Sequence, residues 1–217
     1  MGPDRRWDND GWVPGRYLVK SVWEHASVGL DDHSLIDAAT PTELGAEMER
    51  RATAVQGEVF AERYIEGREF NISLLDNGDD PQVLPHAEIR FVDYPDGKAR
   101  IVGYRAKWAE DSFEYTHTRR SFEFAPEDAD LLARLSDISR RCWRQFDLRG
   151  YARVDFRVDG EGRPWVLEIN ANPCLSPDAG FIAAAGRAGL GTVDVVERIL
   201  QAIPVAKPAH SMQSIVQ

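Results

Sequence analysis

The sequence predicts an α+β protein whose sheets are antiparallel, and three observations support this fold class. Short runs rich in β-branched and aromatic residues alternate with turn residues along much of the chain. Two such runs, residues 151–158 and 164–170, flank a glycine-containing turn at 159–163 and predict a hairpin. Residues 127–146 carry apolar side chains at helical spacing, with Asp and Arg opposite, which predicts an amphipathic helix.

Five further β-type runs predict strands in the first half of the chain. Gly67 separates two of these runs, and Asn77 followed by Gly78 is typical of a tight turn. The five runs are residues 17–21, 58–65, 69–75, 83–91 and 99–104.

The remaining stretches predict short helices and loops. Helices are expected at residues 41–53, where Pro41 suits the first turn, and at 177–188 and 192–202. Residues 105–125 are polar and lack a clean period, so we expect a long loop there, and long loops in compact domains are often functional.

The acidic composition limits the classes of function. The 36 Asp and Glu residues outnumber the 26 Lys and Arg residues, giving a formal net charge of −10. Such a chain is a poor candidate for sequence-independent nucleic-acid binding, which needs clustered basic residues. It has two cysteines without a CxxC pair, no apolar run of transmembrane length and no secretory signal. We therefore expect a cytoplasmic protein that binds neither nucleic acid nor membrane.

The predicted hairpin carries the most informative polar pattern. Alternate side chains of a strand share a face, so Arg153 points the same way as Asp155, and Glu168 the same way as Asn170. Antiparallel pairing would let both pairs face one cleft, where two carboxylates and an amide oxygen suit Mg²⁺. A hairpin whose polar face is simply solvated explains the same pattern equally well.

The end of the second hairpin strand is unusual. The stretch 168–173, Glu-Ile-Asn-Ala-Asn-Pro, places Asn170 and Asn172 at a chain reversal. A helix is predicted to begin a few residues later, and a helix start offers free N–H groups to an anion.

Five short segments hold residue patterns that are weak one by one. They are Leu-Val-Lys at 18–20 followed by Glu-His-Ala-Ser-Val-Gly at 24–29, Phe-Ala-Glu-Arg-Tyr-Ile-Glu-Gly-Arg-Glu-Phe at 60–70, Tyr-Arg-Ala-Lys at 104–107, Gly-Tyr-Ala-Arg-Val-Asp at 150–155, and Leu-Glu-Ile-Asn-Ala-Asn-Pro at 167–173. Chance matches would not keep both order and spacing, so the set as a whole is specific. With these segments the chain resembles the ATP-grasp superfamily, and within it the D-alanine–D-alanine ligase branch.

The resemblance implies an ATP-grasp fold with two α+β subdomains and the nucleotide between antiparallel β-sheets. Lys20 would reach the nucleotide phosphates and the adenine edge, residues 24–29 would close over the phosphates, and Glu69 would bind the ribose hydroxyls. The nucleotide-binding residues implied in this way are Lys20, Ser27, Val28, Glu62, Arg63, Ile65, Glu69 and Leu167.

The resemblance also implies the metal ligands and the catalytic groups. Asp155, Glu168 and Asn170 match the ligands of two Mg²⁺ ions, for which Mn²⁺ is an acceptable substitute. Arg153 and Lys107 match the basic pair that stabilises the transferring phosphoryl group and the later tetrahedral intermediate. The implied substrate contacts are Arg153, Asn170 and the backbone N–H near Cys174.

The activity implied is an ATP- and Mg²⁺-dependent ligase that joins an amino-acid-like carboxylate to an amine through an acylphosphate and releases ADP. Three alternatives stay open: a non-catalytic ATP-binding module, a fragment that needs a partner chain for activity, and a structural or interaction protein that keeps the fold but binds no nucleotide. A homodimer and a separate amino-terminal partner chain are both compatible with the sequence.

The resemblance also implies how the chain is divided. Family members carry an amino-terminal domain before the segment that begins here near Tyr17, so we expect the amino-terminal part of the fold to be incomplete. The expected divisions are an irregular leader at 1–16, a partial small subdomain with the phosphate-covering loop at 17–57, the carboxy-terminal subdomain at 58–203, and a flexible tail at 204–217.

Overall fold

A computed structural model describes residues 12–23, 29–78 and 80–203. The strands in these ranges are β1 (Gly15–Ser21), β2 (Leu35–Ala38), β3 (Val59–Arg63), β4 (Arg68–Leu75), β5 (Gln82–Val83), β6 (Ala87–Phe91), β7 (Thr118–Ser121), β8 (Tyr151–Val158) and β9 (Pro164–Asn170). The α-helices are α1 (Pro41–Val55), α2 (Tyr104–Trp108), α3 (Phe113–His117), α4 (Ala129–Gln145), α5 (Gly180–Arg187) and α6 (Thr192–Gln201). Across the described ranges, no helix has the length and apolar character needed to cross a bilayer.

The described residues form two compact units, each assembled from separate parts of the chain. Unit 1 draws on Met1–Arg68, Ile89–Ser121 and Arg157–Arg163. Unit 2 draws on Glu69–Glu88, Phe122–Phe156 and Pro164–Gln217. The subdomain boundaries expected at residues 17, 58 and 204 stay a prediction.

A three-stranded antiparallel sheet of order β2-β1-β3 lies in unit 1. One face of this sheet packs on α1 through a cluster that includes Val19, Ala38 and Leu44. Strand alternation therefore turns Leu18 and Lys20 of β1 toward the opposite face. Glu62 lies on that same opposite face, because it pairs directly with Leu18.

Helix α1 begins where its sequence signals place it. The Thr40 hydroxyl caps the helix by accepting the backbone N–H of Glu43, and the Glu43 carboxylate accepts the backbone N–H of Ala39, just before the cap. Pro41 follows as the first helical residue, where its missing N–H costs nothing. The predicted helix at 41–53 is thus confirmed and runs two residues further.

A six-stranded sheet has the order β7-β6-β4-β8-β9, and β5 also pairs with β4. Strands β4 and β8 are inner neighbours, and their apolar side chains are buried. The buried residues are Phe70, Ile72 and Leu74 of β4 with Ala152, Val154 and Phe156 of β8. The predicted hairpin at 151–170 is confirmed as β8 and β9 around the 159–163 turn.

The core of unit 2 forms where α5 and α6 supply small and large apolar side chains. Phe181, Ala184 and Val195 pack against Leu75 and Leu84 with almost no exposure. Helix α4 buries Leu131, Leu135, Ser139 and Trp143, the stripe that helical spacing predicts. The four predicted helices are therefore confirmed, with ends that differ by up to three residues.

Two of the sequence predictions in unit 1 are wrong. Residues 99–104 form no strand, because Ala99 and Ile101 are buried against Leu18 and the backbone N–H of Tyr104 bonds to the Leu30 carbonyl instead of a ladder. Residues 105–125 are not a structureless loop, because α2, α3 and β7 occupy most of them.

Two further boundaries differ from the sequence prediction. The predicted strand at 83–91 is divided into β5 and β6 around Pro85, which has no N–H to donate to a ladder. Strand β2 was not predicted, since its four residues are too short a run to give a periodic signal.

Arg157 joins three segments of unit 1. Its guanidinium donates to the carbonyl oxygen of Gly67 at 3.1 Å and to that of Arg100. It also lies 5.5 Å from the ring centroids of Tyr64 and Phe91. The buried charge is stabilised by carbonyl oxygens and ring faces, and it holds residues 64–67 in place.

We predict that Gly67→Ala destabilises the fold. Gly67 has φ of +146°, and a Cβ there would lie 1.9 Å from the carbonyl oxygen of Val158. We expect a loss of about 1–3 kcal/mol in the free energy of unfolding, measured by urea denaturation. Gly160→Ala is the matched control, since no atom lies within 4 Å of its added Cβ. Equal losses in the two variants would contradict the predicted clash.

A charge network in unit 1 surrounds Glu114. Its carboxylate accepts hydrogen bonds from Lys98 Nζ at 2.7 Å and from Arg105 Nε at 3.0 Å, and Lys98 also bonds to Asp32 at 3.0 Å. Burial acts to raise the pKa of Glu114, but the hydrogen bonds from Lys98, from its own backbone and from Arg105 outweigh this and lower it to about 2.

We predict that Glu114 contributes to acid stability. A carboxyl whose pKa falls on folding stabilises the protein above its unfolded value, here 4.5, and that contribution is lost as the pH falls toward 2. The stability difference between wild type and Glu114→Gln should therefore shrink between pH 5 and pH 3 in urea titrations. Glu110→Gln, at an exposed neighbouring position, serves as the control variant. A difference between wild type and Glu114→Gln that stays constant from pH 5 to pH 3 would contradict the prediction.

Candidate functional site

A polar face extends across β4, β8 and β9 in unit 2. The inward apolar side chains of β4 and β8 fill the core, so the alternate positions must point to the other side of the sheet. Since β8 lies between β4 and β9, these alternate positions come together on three neighbouring strands. The polar face consists of Glu69 and Asn71 on β4, Arg153 and Asp155 on β8, and Glu168 and Asn170 on β9.

Asp155 accepts three hydrogen bonds on the polar face. The Arg153 guanidinium donates two hydrogen bonds to this carboxylate, from Nε to Oδ1 at 2.7 Å and from Nη2 to Oδ2 at 2.7 Å. Asn71 Nδ2 donates to the same Oδ1 at 2.9 Å. Only 7% of Asp155 is exposed, so these charge-assisted bonds replace most of its hydration.

Arg153 supplies the positive charge of the polar face. Its Nη2 also lies 3.8 Å from Glu168 Oε1. Burial acts to lower the pKa of Arg153, but the hydrogen bonds and charge of Asp155, together with the charges of Glu168 and Glu69, raise it. The guanidinium therefore stays protonated, and one cation faces three carboxylates.

The oxygen ligands of the polar face fit Mg²⁺ by their chemistry. Asp155 and Glu168 carry hard carboxylate oxygens on neighbouring strands, and Asn170 adds an amide oxygen. No group of three or more His, Cys, Asp or Glu side chains suitable for a metal occurs among the described residues. A site with two carboxylates and one amide oxygen still suits Mg²⁺, because this ion commonly takes water or phosphate oxygens as its remaining ligands.

A hydrogen-bonded turn follows β9. The Asn170 side-chain oxygen accepts the backbone N–H of Asn172 at 2.9 Å, and the Tyr151 hydroxyl donates to the Asn172 side chain. Cys174 is exposed, and its thiol interacts with the Ser176 hydroxyl at 3.1 Å. Hydrogen bonds from the Ser176 side chain and backbone lower the pKa of this thiol.

Asn71 and Tyr151 were not among the residues predicted from sequence. Asn71 follows Glu69 by two positions on β4, so strand alternation could have placed both on the same side of that strand, but not beside β8. Tyr151 begins β8, and its hydroxyl meets Asn172 only because the chain reverses after β9. Leu167, predicted as a nucleotide contact, is half-buried on β9 next to Glu168 and alternates to the opposite side of the strand.

The candidate nucleotide residues of unit 1 lie on the small sheet. Lys20 and Glu62 form an ion pair on the face that α1 leaves uncovered, and about a quarter to a third of each side chain is exposed (26% and 30%). Arg63 pairs with Tyr17 and alternates to the other face of the sheet. Ile65 follows β3 and is half-buried.

Ser27 and Val28 lie outside the described residues. Gly29, the last residue of the predicted phosphate-covering loop, has φ of +72° and is described. Its carbonyl accepts a hydrogen bond from Arg51 of α1, which also bonds to Asp31 and Ser34. The carboxy-terminal end of this loop is therefore tied to α1.

Lys107 lies on α2, where its side chain is exposed. Helix α2 begins after Gly103, whose position allows a close approach to the Leu30 carbonyl, since a Cβ there would lie 2.6 Å from that oxygen. The structure thus positions Lys107 on a short helix rather than on the loop that the sequence predicted.

Comparison with known proteins supports the sequence resemblance. The family model described as "D-ala D-ala ligase C-terminus" matches residues 16–201. A D-alanine–D-alanine ligase of a Synechococcus strain is 36% identical over 150 residues, 69% of this chain and 42% of that protein. The same enzyme of Chromohalobacter salexigens is 33% identical over 183 residues, 84% of this chain and 51% of that protein.

A solved structure supports the fold. The D-alanine–D-alanine ligase of Bacillus anthracis, determined in complex with ATP, matches with a TM-score of 0.63 and 23% identity, covering 92% of this chain and 56% of that one. The predicted ATP-grasp α+β fold class is thereby confirmed. The chain spans about half the length of the curated relatives that it matches (42% and 51%). With its family match over residues 16–201, the chain belongs to the D-alanine–D-alanine ligase family.

Proposed function

We propose that this chain binds Mg-ATP and takes part in an ATP-dependent ligation of an amino-acid-like carboxylate to an amine. The observation that carries the proposal is the polar face of β4, β8 and β9, which gathers Asp155, Glu168 and Asn170 around Arg153. In a member of this family, such a face is better explained by a metal-nucleotide site than by solvation alone. A surface hairpin would have little reason to bury Asp155.

The proposed reaction has two steps. A carboxylate oxygen of the first substrate attacks the γ-phosphorus of ATP, the bond to the β-γ bridging oxygen breaks, and ADP leaves. The amine of the second substrate then attacks the carbonyl carbon of the acylphosphate, loses a proton, and inorganic phosphate leaves. The products are an amide, ADP and phosphate.

The basic groups of the chain would act on developing negative charge. Arg153 carries a permanent positive charge at the polar face and offers a planar fork of donors, which suits phosphoryl oxygens. Lys107 is proposed as the second basic group, and the backbone N–H near Cys174 as a donor to the tetrahedral oxyanion. Positioning and charge neutralisation, rather than covalent chemistry, account for most phosphoryl-transfer catalysis.

Asp155, Glu168 and Asn170 would hold the metal, with two ions expected. When bound, Mg²⁺ neutralises phosphate charge and fixes the orientation of the γ-phosphoryl group. Glu69 lies on the same polar face and is only 8% exposed, and we propose it as the acceptor for the ribose hydroxyls.

Unit 1 would contribute to nucleotide binding through its small sheet. We propose that Lys20 contacts phosphate and that Glu62, with the backbone of Arg63 and Ile65, contacts adenine. Lys20 and Glu62 are paired with each other, so nucleotide binding would exchange this ion pair for contacts to ligand. Ser27 and Val28 are proposed to cover the phosphates.

We propose D-alanine or a similar small amino acid as substrate, because the relatives are named D-alanine–D-alanine ligase. A homodimer or a separate amino-terminal partner chain would be needed if this chain does not form the whole substrate pocket. The alternative is a non-catalytic ATP-binding module of the same family.

Thermal unfolding tests the metal-nucleotide site. Mg-ATP should raise the melting temperature, since a ligand at 100 times its Kd stabilises the folded state by about 2.7 kcal/mol. Asp155→Asn should remove most of the Mg²⁺-dependent part of this shift. Asp137→Asn, on an exposed side chain of α4, should behave as wild type. No shift with wild type, or an equal shift with Asp155→Asn, would contradict the proposed site.

An assay of ADP and phosphate release separates ligation from simple binding. With ATP and Mg²⁺, the chain should release ADP when D-alanine is added and not in its absence, and Arg153→Met should reduce the rate by at least roughly 100-fold. Arg163→Met, a surface arginine of the hairpin turn, serves as control. ATP binding without ADP release, even with the amino-terminal half of a relative added, would favour the non-catalytic alternative.

A further inference from the structure

The bonds to the two oxygens of Asp155 are unequal. Oδ1 accepts two N–H groups, from Arg153 Nε at 2.7 Å and Asn71 Nδ2 at 2.9 Å. Among the described residues, Oδ2 accepts one N–H group, from Arg153 Nη2 at 2.7 Å. A carboxylate has about four lone-pair positions, so Oδ2 is the oxygen better able to accept another ligand.

Arg153 already supplies a positive charge at the place where a metal cation would bind. Its guanidinium bonds to Asp155 and lies 3.8 Å from Glu168, and these are the two carboxylates proposed to hold Mg²⁺. Two cations held by the same carboxylates repel each other strongly in a partly buried site. Binding of a divalent ion and the two hydrogen bonds from Arg153 to Asp155 therefore disfavour each other.

Asn71 differs from Arg153 because it is neutral. Its amide group donates to Oδ1 from the neighbouring strand β4, and a divalent ion has no electrostatic reason to displace it. Outer hydrogen bonds of this kind orient metal-binding carboxylates and raise their affinity.

We propose that Arg153 is the resident counter-ion of the metal site, that a divalent cation displaces it from Asp155, and that Asn71 holds Asp155 in place during the exchange. This inference rests on the proposed metal-nucleotide site. It adds an order of events, in which Arg153 becomes available to a phosphoryl group only after a divalent cation has bound.

The exchange is tested by measuring Mn²⁺ binding to the nucleotide-free chain. The electron paramagnetic resonance signal of free Mn²⁺ reports how much of the ion remains unbound. Arg153→Met should bind Mn²⁺ more tightly than wild type, by roughly tenfold, because the competing charge is gone. Arg153→Lys keeps the charge and should stay near wild type. Asn71→Leu should bind about 10–100-fold more weakly, as expected for loss of an outer hydrogen bond to a metal ligand.

Two variants serve as matched controls. Arg163→Met removes an arginine that pairs with Asp159, and Asn77→Leu removes an exposed asparagine after β4. Both should bind Mn²⁺ as wild type does. Weaker or unchanged binding by Arg153→Met would overturn the counter-ion role, and unchanged binding by Asn71→Leu would overturn the role of Asn71.

A measurement on wild type avoids dependence on the folding of variants. The Nε–H resonance of Arg153, assigned by its loss in Arg153→Lys, should move on addition of diamagnetic Mg²⁺, whereas that of Arg163 should not. A stationary Arg153 resonance at Mg²⁺ concentrations that saturate the site would overturn the exchange alone. Failure of wild type to bind either ion would instead overturn the proposed metal site, and the exchange with it.

Discussion

The burial of carboxylates on one sheet face is the constraint on which unit 2 depends. The apolar residues of β4 and β8 must face the core, and alternation then gathers Glu69, Asp155 and Glu168 on the other side. Of these, Glu69 and Asp155 are buried and Glu168 is exposed. Partly desolvated carboxylates repel each other and lose hydration, which costs several kcal/mol per ion unless opposite charge is supplied. Arg153 supplies it, and Asn71 completes the hydrogen bonding of Asp155.

The same arrangement recurs in unit 1 on a smaller scale. Helix α1 covers one face of the β2-β1-β3 sheet, so Lys20 and Glu62 are left together on the other face and pair there. In both units, a basic group proposed to contact the nucleotide pairs with a carboxylate of the same unit. This matters in a chain with a net charge of −10, because local cations must overcome a field that repels phosphate.

Much of unit 1 serves to hold the segments that carry the candidate nucleotide residues. Arg51 hydrogen-bonds Gly29, at the end of the loop proposed to cover the phosphates, and Arg157 holds residues 64–67 against the rest of the unit. Glycine is required at Gly67 and Gly103, where other backbone atoms approach too closely for a side chain. The residues between the motifs therefore matter by restricting where the motifs lie.

The errors of sequence prediction have one physical origin. Residues 99–104 have the composition of a strand, but tertiary packing of Ile101 and the bond of Tyr104 to Leu30 remove them from any ladder. The helices α2 and α3 are five residues each, too short to show a period, and Ser112 caps the second by accepting the Tyr115 N–H. Short elements gain their stability from contacts that are remote in sequence.

The sequence alone determined the fold class, the long amphipathic helix, the hairpin and the ordered motifs, because each depends on local periodicity or on residue spacing. It also determined which side chains of β8 and β9 share a face, since strand alternation is a property of the backbone. Only the tertiary structure decided that Asn71 and Glu69 join that face, because strand order brings β4 beside β8 across more than 80 residues of chain. It likewise decided that Arg153 donates hydrogen bonds to both oxygens of Asp155, because this pairing depends on how deeply the two side chains are buried.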